Sequence, residues 1–202
     1  SRLTAPIKIL VAGNHDTSIE RRLIRRDQIA DMGIIYLENQ IVTVPYQGRD
    51  IRIWGSPYTP TFNNWAFNIK RSKINAVWDS MDEGVDIVVT HGPPKGILDL
   101  TLKSRGVLKL AGCENLRKRI LQTRPMYHLF GHVHDSREIR NNFGIYKDSY
   151  HITYSNASCV LDGERESLRH NGNIFYIPHG PSCHGSTSGC DYKHHDLSPG
   201  PH

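Results

Sequence analysis

Three short polar motifs hold the residues best suited to chemistry: GNHD at 13–16, THGPP at 90–94 and GHVH at 131–134. Asn14 offers an amide oxygen, while His91, His132 and His134 offer imidazole nitrogens. Together they make a three-nitrogen, one-oxygen set that suits Zn, Mn, Fe or Ni. Thiolate coordination is excluded, because no cysteine lies near these motifs. His132 and His134 are two positions apart, so in an extended backbone both point to one face. A single histidine after a strand is ordinarily a hydrogen-bonded core or surface residue, and GNHD by itself is a polar turn. A shared site is indicated because all three motifs occur in this order and each closes an apolar run.

Those runs are the elements that must position the motifs. IKILVA at 7–12 is a short apolar run of the kind found deep in a sheet. Ser18 can cap a helix running to about Asp31, with Gly33 as its stop. IIYL at 34–37, IVTVPY at 41–46 and IRIWG at 51–55 are strand-like, and 56–67, with its prolines and asparagines, is a loop. Ile74, Val77, Trp78 and Met81 recur at helical spacing, VDIVVT at 85–90 is a buried strand, a helix is expected over 114–122, and MYHLF at 126–130 is another strand. Residues 150–160 and 174–177 complete the expected strands. Strands alternating with helices predict an α/β fold, in which ligands gather at the carboxyl ends of strands. Trp54, Tyr58, Phe62 and Trp65 could stack on a base, although core or lid packing is their ordinary role.

The chain has 202 residues, 38% hydrophobic and 22% charged, which suits one domain with a substantial core. No apolar run is long enough to span a membrane and the N-terminus has no long apolar leader, so a soluble, cytoplasmic protein with no membrane partner is expected. The net charge of +5 is compatible with an anionic ligand, but the basic residues are dispersed. The densest cluster, ERRLIRR at 20–26, has the pattern of a solvated helix face, so stable nucleic-acid binding is not expected. Cys113, Cys159, Cys183 and Cys190 form no CxxC pair; Cys113 and Cys159 read as buried free thiols. Residues 179–202, rich in Gly, Pro, Ser and His, read as a flexible tail whose five histidines could bind metal only weakly.

GNHD, the His91-Gly92 pair and GHVH, in this order, resemble the last three blocks of the calcineurin-like metallophosphoesterases, whose full pattern is DxH, GD, GNH(D/E), a histidine usually followed by glycine, and GHxH. GSPYTPTFNNWAF at 55–67 and THGPPKGILD at 90–99 are similar to the small metallophosphoesterase-domain phosphodiesterases in particular. The resemblance covers roughly 5–178. It implies an αββα sandwich and hydrolysis of a phosphate ester, a nucleotide-like or other small diester, by a metal-activated hydroxide. It further implies that Asn14, His91 and His132 ligate one divalent ion (Mn, Zn or Fe) and His134 a second. His15 would protonate the leaving oxygen, which suits an imidazole held by a carboxylate, and Asp16 would orient its ring.

The DxH and GD blocks do not precede GNHD: the twelve residues before Gly13 contain neither Asp nor His. Two divalent ions would then meet Asn14 and three neutral imidazoles with no bridging carboxylate, so their repulsion would go largely uncompensated. The expectation is one tightly bound ion or none, in an N-terminally incomplete domain over 1–178 that lacks the first strands of its central sheet. The alternative is a catalytically inactive metal- or phosphate-binding module.

Overall fold

In a computed structural model, residues 4–102, 107–134, 141, 144–159 and 172–178 are described. The first half of the chain forms β1 (Ile9–Leu10), α1 (Thr17–Glu20), α2 (Arg26–Asp31), β2 (Ile35–Tyr36), β3 (Gln40–Tyr46), β4 (Arg49–Ser56), β5 (Thr59–Pro60), β6 (Asn68–Ile69) and α3 (Asn75–Asp79). The second forms β7 (Ile87–Thr90), β8 (Leu100–Leu102), β9 (Leu108–Leu110), α4 (Glu114–Thr123), β10 (Tyr127–Phe130), β11 (Ile145–Lys147) and β12 (Thr153–Asn156).

Six strands make a central mixed sheet in the order β11-β12-β10-β7-β4-β3. Its four inner strands are parallel, and the outer two pair antiparallel. Both faces are covered, which explains the nearly continuous apolar runs in the sequence. Ile51, Ile53 and Ile87 point into one core layer with Leu37 and Val44. Trp54, Val88, Phe130 and Tyr154 point into the other, where Val77 and Trp78 of α3 and Leu116 and Ile120 of α4 pack against them. The parallel register aligns the carboxyl ends: Ser56 pairs with Thr90, and Phe130 with Asn156. The motif histidines of the second and third blocks therefore emerge from one edge of a rigid sheet.

The α/β expectation is met, with local differences. The helix expected over 18–31 is two helices, because Arg22 takes a left-handed φ of 59° and its guanidinium forks onto Glu38 at 2.8 and 2.9 Å. Arg25 is extended and caps α2, its N–H donating to Gln28 Oε1 at 2.9 Å. Gly33, with φ 70°, follows α2 as anticipated. The 7–12 strand shrinks to the two residues of β1, paired with β2 in a separate two-stranded sheet. The 56–67 loop contributes β5. The exposed, short β9 and β11 and the adjoining β8 carry too little apolar pattern to be read from sequence. Residues 174–177 lie outside the sheet ladder: Phe175 packs on Tyr127 and Ile177 packs against the core layer of Leu37, Ile51 and Ile87, while Ile174 and Tyr176 face outward. Cys113 is buried and Cys159 partly so, both as free thiols. The tail expected over 179–202 lies outside the described residues. No helix among the described residues is long and apolar enough to cross a membrane.

Candidate functional site

Gly13 begins the turn after β1, and its N–H donates to Asp16 Oδ2 at 2.6 Å, closing the loop on itself. Asp16 N–H returns to Gly13 O at 3.0 Å. The turn thus points Asn14 inward, 5% exposed, and leaves His15 outward. His91 continues the ladder past β7, its N–H donating to Ser56 O at 3.1 Å while its carbonyl accepts Gly131 N–H at 3.0 Å. Beneath it, Thr90 Oγ1 donates to Gly92 O at 2.7 Å and pairs with Nε2 of the buried His128 at 2.9 Å.

The three distant motifs converge on one atom. Asn14 Oδ1 lies 2.5 Å from His91 Nε2 and 3.0 Å from His132 Nδ1, and the two rings stand 4.6 Å apart at 57°. His132 is not in extended backbone; its φ is 72°. Val133 is buried, and His132, Val133 and His134 all line the same cavity. His15 also lines that cavity, its ring 5.0 Å from that of Trp65. The sequence expectation gave Asp16 the task of orienting His15. In the structure the Asp16 carboxylate accepts the Gly13 N–H, and the aromatic neighbour of His15 is Trp65. Trp65 is held there because Ala66 N–H donates to Asn14 O at 3.1 Å.

These residues line a cavity of about 860 Å³. Tyr58, Phe62 and Trp65 give its lining aromatic surface; Arg71 and Lys109 add positive charge, and no Asp or Glu lines it among the described residues. Trp54, by contrast, is core. Burial, reinforced by the neighbouring His132, His15 and His134, pushes His91 down to about 3. Burial, followed by His134 and His15, pushes His132 down to about 4. Both imidazoles are therefore neutral at ordinary pH and keep a lone pair to give.

That donor set decides whether a divalent cation suits the site. Asn14 Oδ1 is a neutral oxygen donor flanked by His91 Nε2 at 2.5 Å and His132 Nδ1 at 3.0 Å, an N/O set whose chemistry suits one such ion. No group of three or more His, Cys, Asp or Glu able to hold a metal occurs among the described residues. The candidate set accordingly includes an amide oxygen, the Asn14 Oδ1 on which His91 and His132 meet.

Sequence reading missed two residues that support the site. Asn156 Nδ2 donates to Val133 O at 2.9 Å, and Asn141 Nδ2 to His134 O at 3.1 Å. The available signal was faint: Ser155-Asn156 is a polar pair inside the strand expected over 150–160.

Residues 1–136 match the family model of the calcineurin-like phosphoesterases. Metallophosphoesterase domain-containing protein 1 of Homo sapiens is 34% identical over 180 residues, covering 77% of this chain and 51% of that protein. A UPF0046 protein of Caenorhabditis elegans is 32% identical over 146 residues, covering 71% of this chain and 33% of its own. The crystal structure of a Thermus thermophilus protein overlays 74% of this chain and 62% of that one, with a TM-score of 0.44 and 12% identity. The chain spans about half the length, or less, of these curated relatives.

Proposed function

The chain belongs to the calcineurin-like phosphoesterase family, whose members use divalent metals, and from that premise we propose that it hydrolyses a phosphodiester of nucleotide-like or similarly small size. The observation that carries the reading is the meeting of His91 and His132 on Asn14 Oδ1 at the wall of the cavity. Asn14, His91 and His132 would hold one ion of the Mn, Zn or Fe type, and His134, lining the same cavity, would serve a second. A divalent cation bound there supplies Lewis-acid polarisation of a phosphoryl oxygen and a lowered pKa for the attacking water.

The chain's own groups do the rest. His15, exposed on the cavity wall, donates a proton to the leaving oxygen as the P–O bond breaks. Asp16 fixes the turn that presents it, through the Gly13 N–H. Arg71 and Lys109 favour an anion, and the aromatic surface of Tyr58, Phe62 and Trp65 accepts a flat apolar group such as a base. The domain is taken to span 1–178.

The test is turnover of a diester with an alkyl leaving group in Mn²⁺ and after chelation. Activity should require the metal, and His15→Ala should lower kcat by about 10²–10⁴-fold. Full activity in His15→Ala would remove it from the mechanism.

A second reading is a catalytically silent metal- or phosphate-binding module. It draws on the neutrality of Asn14, His91 and His132, which gives two dications no charge compensation from this set. Calorimetry finding two tightly bound divalent ions per chain would exclude it.

A further inference from the structure

Two buried side-chain amides hold a strained piece of backbone beneath the His132–His134 loop. Val133 N–H donates to Gly131 O at 2.8 Å across His132, whose φ is 72°. This is a three-residue γ-turn of the left-handed kind, which costs about 1–3 kcal/mol when the central residue carries a β-carbon. Such a conformation persists only where its surroundings over-determine it.

The surroundings are Asn156 and Asn141, 0% and 1% exposed. Asn156 Nδ2 donates to Val133 O at 2.9 Å and to Leu98 O at 3.1 Å, while its Oδ1 accepts Ser158 N–H at 2.9 Å. The two amide hydrogens face two carbonyls and the amide oxygen faces an N–H, so the orientation of the group is unambiguous. Asn141 Nδ2 donates to His134 O at 3.1 Å and Leu100 O at 2.7 Å, and its Oδ1 accepts Leu100 N–H at 3.2 Å. Two successive carbonyls of the histidine loop are thus tied to residues 98–100, the segment that continues from THGPP.

We propose that Asn156, with Asn141 as a second arm, is a positioning residue: it holds His132 in its left-handed conformation and so keeps Nδ1 on Asn14 Oδ1. Its purpose rests on the phosphoesterase reading; its geometry does not. An apolar residue at 156 would strand the Val133 and Leu98 carbonyls and the Ser158 N–H in the interior. The turn would then relax toward an ordinary φ and carry the imidazole with it.

The experiment compares the full chain with Asn156→Ala and with Asp148→Ala. Asp148 is buried at the other end of β12, where it accepts from Tyr150 N–H, Ile152 N–H and Tyr154 OH. Its loss lowers stability without touching the site. In metal-free protein, Asn156→Ala should displace the His132 imidazole and Val133 amide NMR signals, and Co²⁺ alone should bind about tenfold or more weakly. Asp148→Ala should leave both readouts at wild-type values. A folded Asn156→Ala with an unmoved His132, or an equal effect from Asp148→Ala, overturns the proposal. Should Asn156→Ala not fold, Asn141→Ala read at His134 decides in the same way. A wild-type chain that turns over no diester, yet whose His132 moves in Asn156→Ala, sinks the hydrolase reading and leaves this one standing.

Discussion

A β-carbon on Gly13 would lie 2.6 Å from Cε1 and 2.8 Å from Nδ1 of His91. The glycine that opens the first motif is therefore what lets the second motif's imidazole approach Asn14. Its requirement is steric, since its φ is not among the positive ones.

Gly13→Ala should consequently act on His91 alone among the ring positions. The ring must retreat or the turn must open, at a cost of about 1–3 kcal/mol. Thermal denaturation should show that loss, and Co²⁺ affinity should fall with it. A variant of wild-type stability and affinity would mean that the His91 ring can move aside freely.

The Thr90–His128 pair offers a second prediction, below the site. Thr90 Oγ1 bridges Gly92 O and His128 Nε2 inside the sheet. Thr90→Val keeps the shape and strands both partners, which should cost about 1–3 kcal/mol. Combining it with His128→Leu should cost less than the sum of the two single changes, because the second substitution removes a group the first left unpaired. Urea denaturation of the four proteins measures the coupling; strict additivity would show that the hydrogen bond contributes nothing.

The parts of the fold legible in the sequence are those where burial imposes a pattern. Residues 51–55 of β4, together with β7 and β10, are largely apolar, and α4 shows its Leu116–Ile120 stripe, so these elements could be placed from the sequence. The three polar strand ends were legible for the same reason: Asn14, His91 and His132 interrupt runs that packing would otherwise keep apolar. Backbone conformations fixed by distant partners were not legible. Arg22 breaks the expected helix because Glu38, sixteen residues on, holds its guanidinium. The φ of His132 depends on Asn156, whose amide reaches it only once β12 lies beside β10. Trp65 beside His15 likewise follows from the Ala66–Asn14 backbone bond, which no local pattern signals.

That placement of Trp65 leads to a third prediction. The indole stands 5.0 Å from the His15 ring and 5.3 Å from Phe62, edge to face with the latter. Trp65→Ala removes a contact of roughly 0.5–1.5 kcal/mol, so kcat/KM should fall by about two- to twelvefold. Trp65→Phe should recover most of it. If His15 does not depend on the indole, steady-state kinetics of the two variants will coincide with wild type.

The last prediction concerns acid. His91, His128 and His132 are each pushed down from 6.5, to about 3, 3 and 4 respectively, first of all by burial and then by the neighbouring histidines for His91 and His132 and by Arg117 for His128. In the unfolded chain each accepts its proton near 6.5, while the folded chain refuses it until far lower. Between those values the unfolded state binds more protons, so stability rises with pH across that interval. The histidine contribution is fully present above about 6.5 and is lost as pH falls toward 4, with a slope of at most ~1.4 kcal/mol per pH unit for each residue. Urea midpoints of metal-free protein should hold steady from about pH 8 to 7 and then decline steeply to pH 5. His128→Leu isolates one of the three: it removes a titrating group that lies inside the core beneath the metal-type donors, so its decline should be shallower by that one residue's share. An identical slope in wild type and His128→Leu would show that His128 does not remain neutral in the folded core.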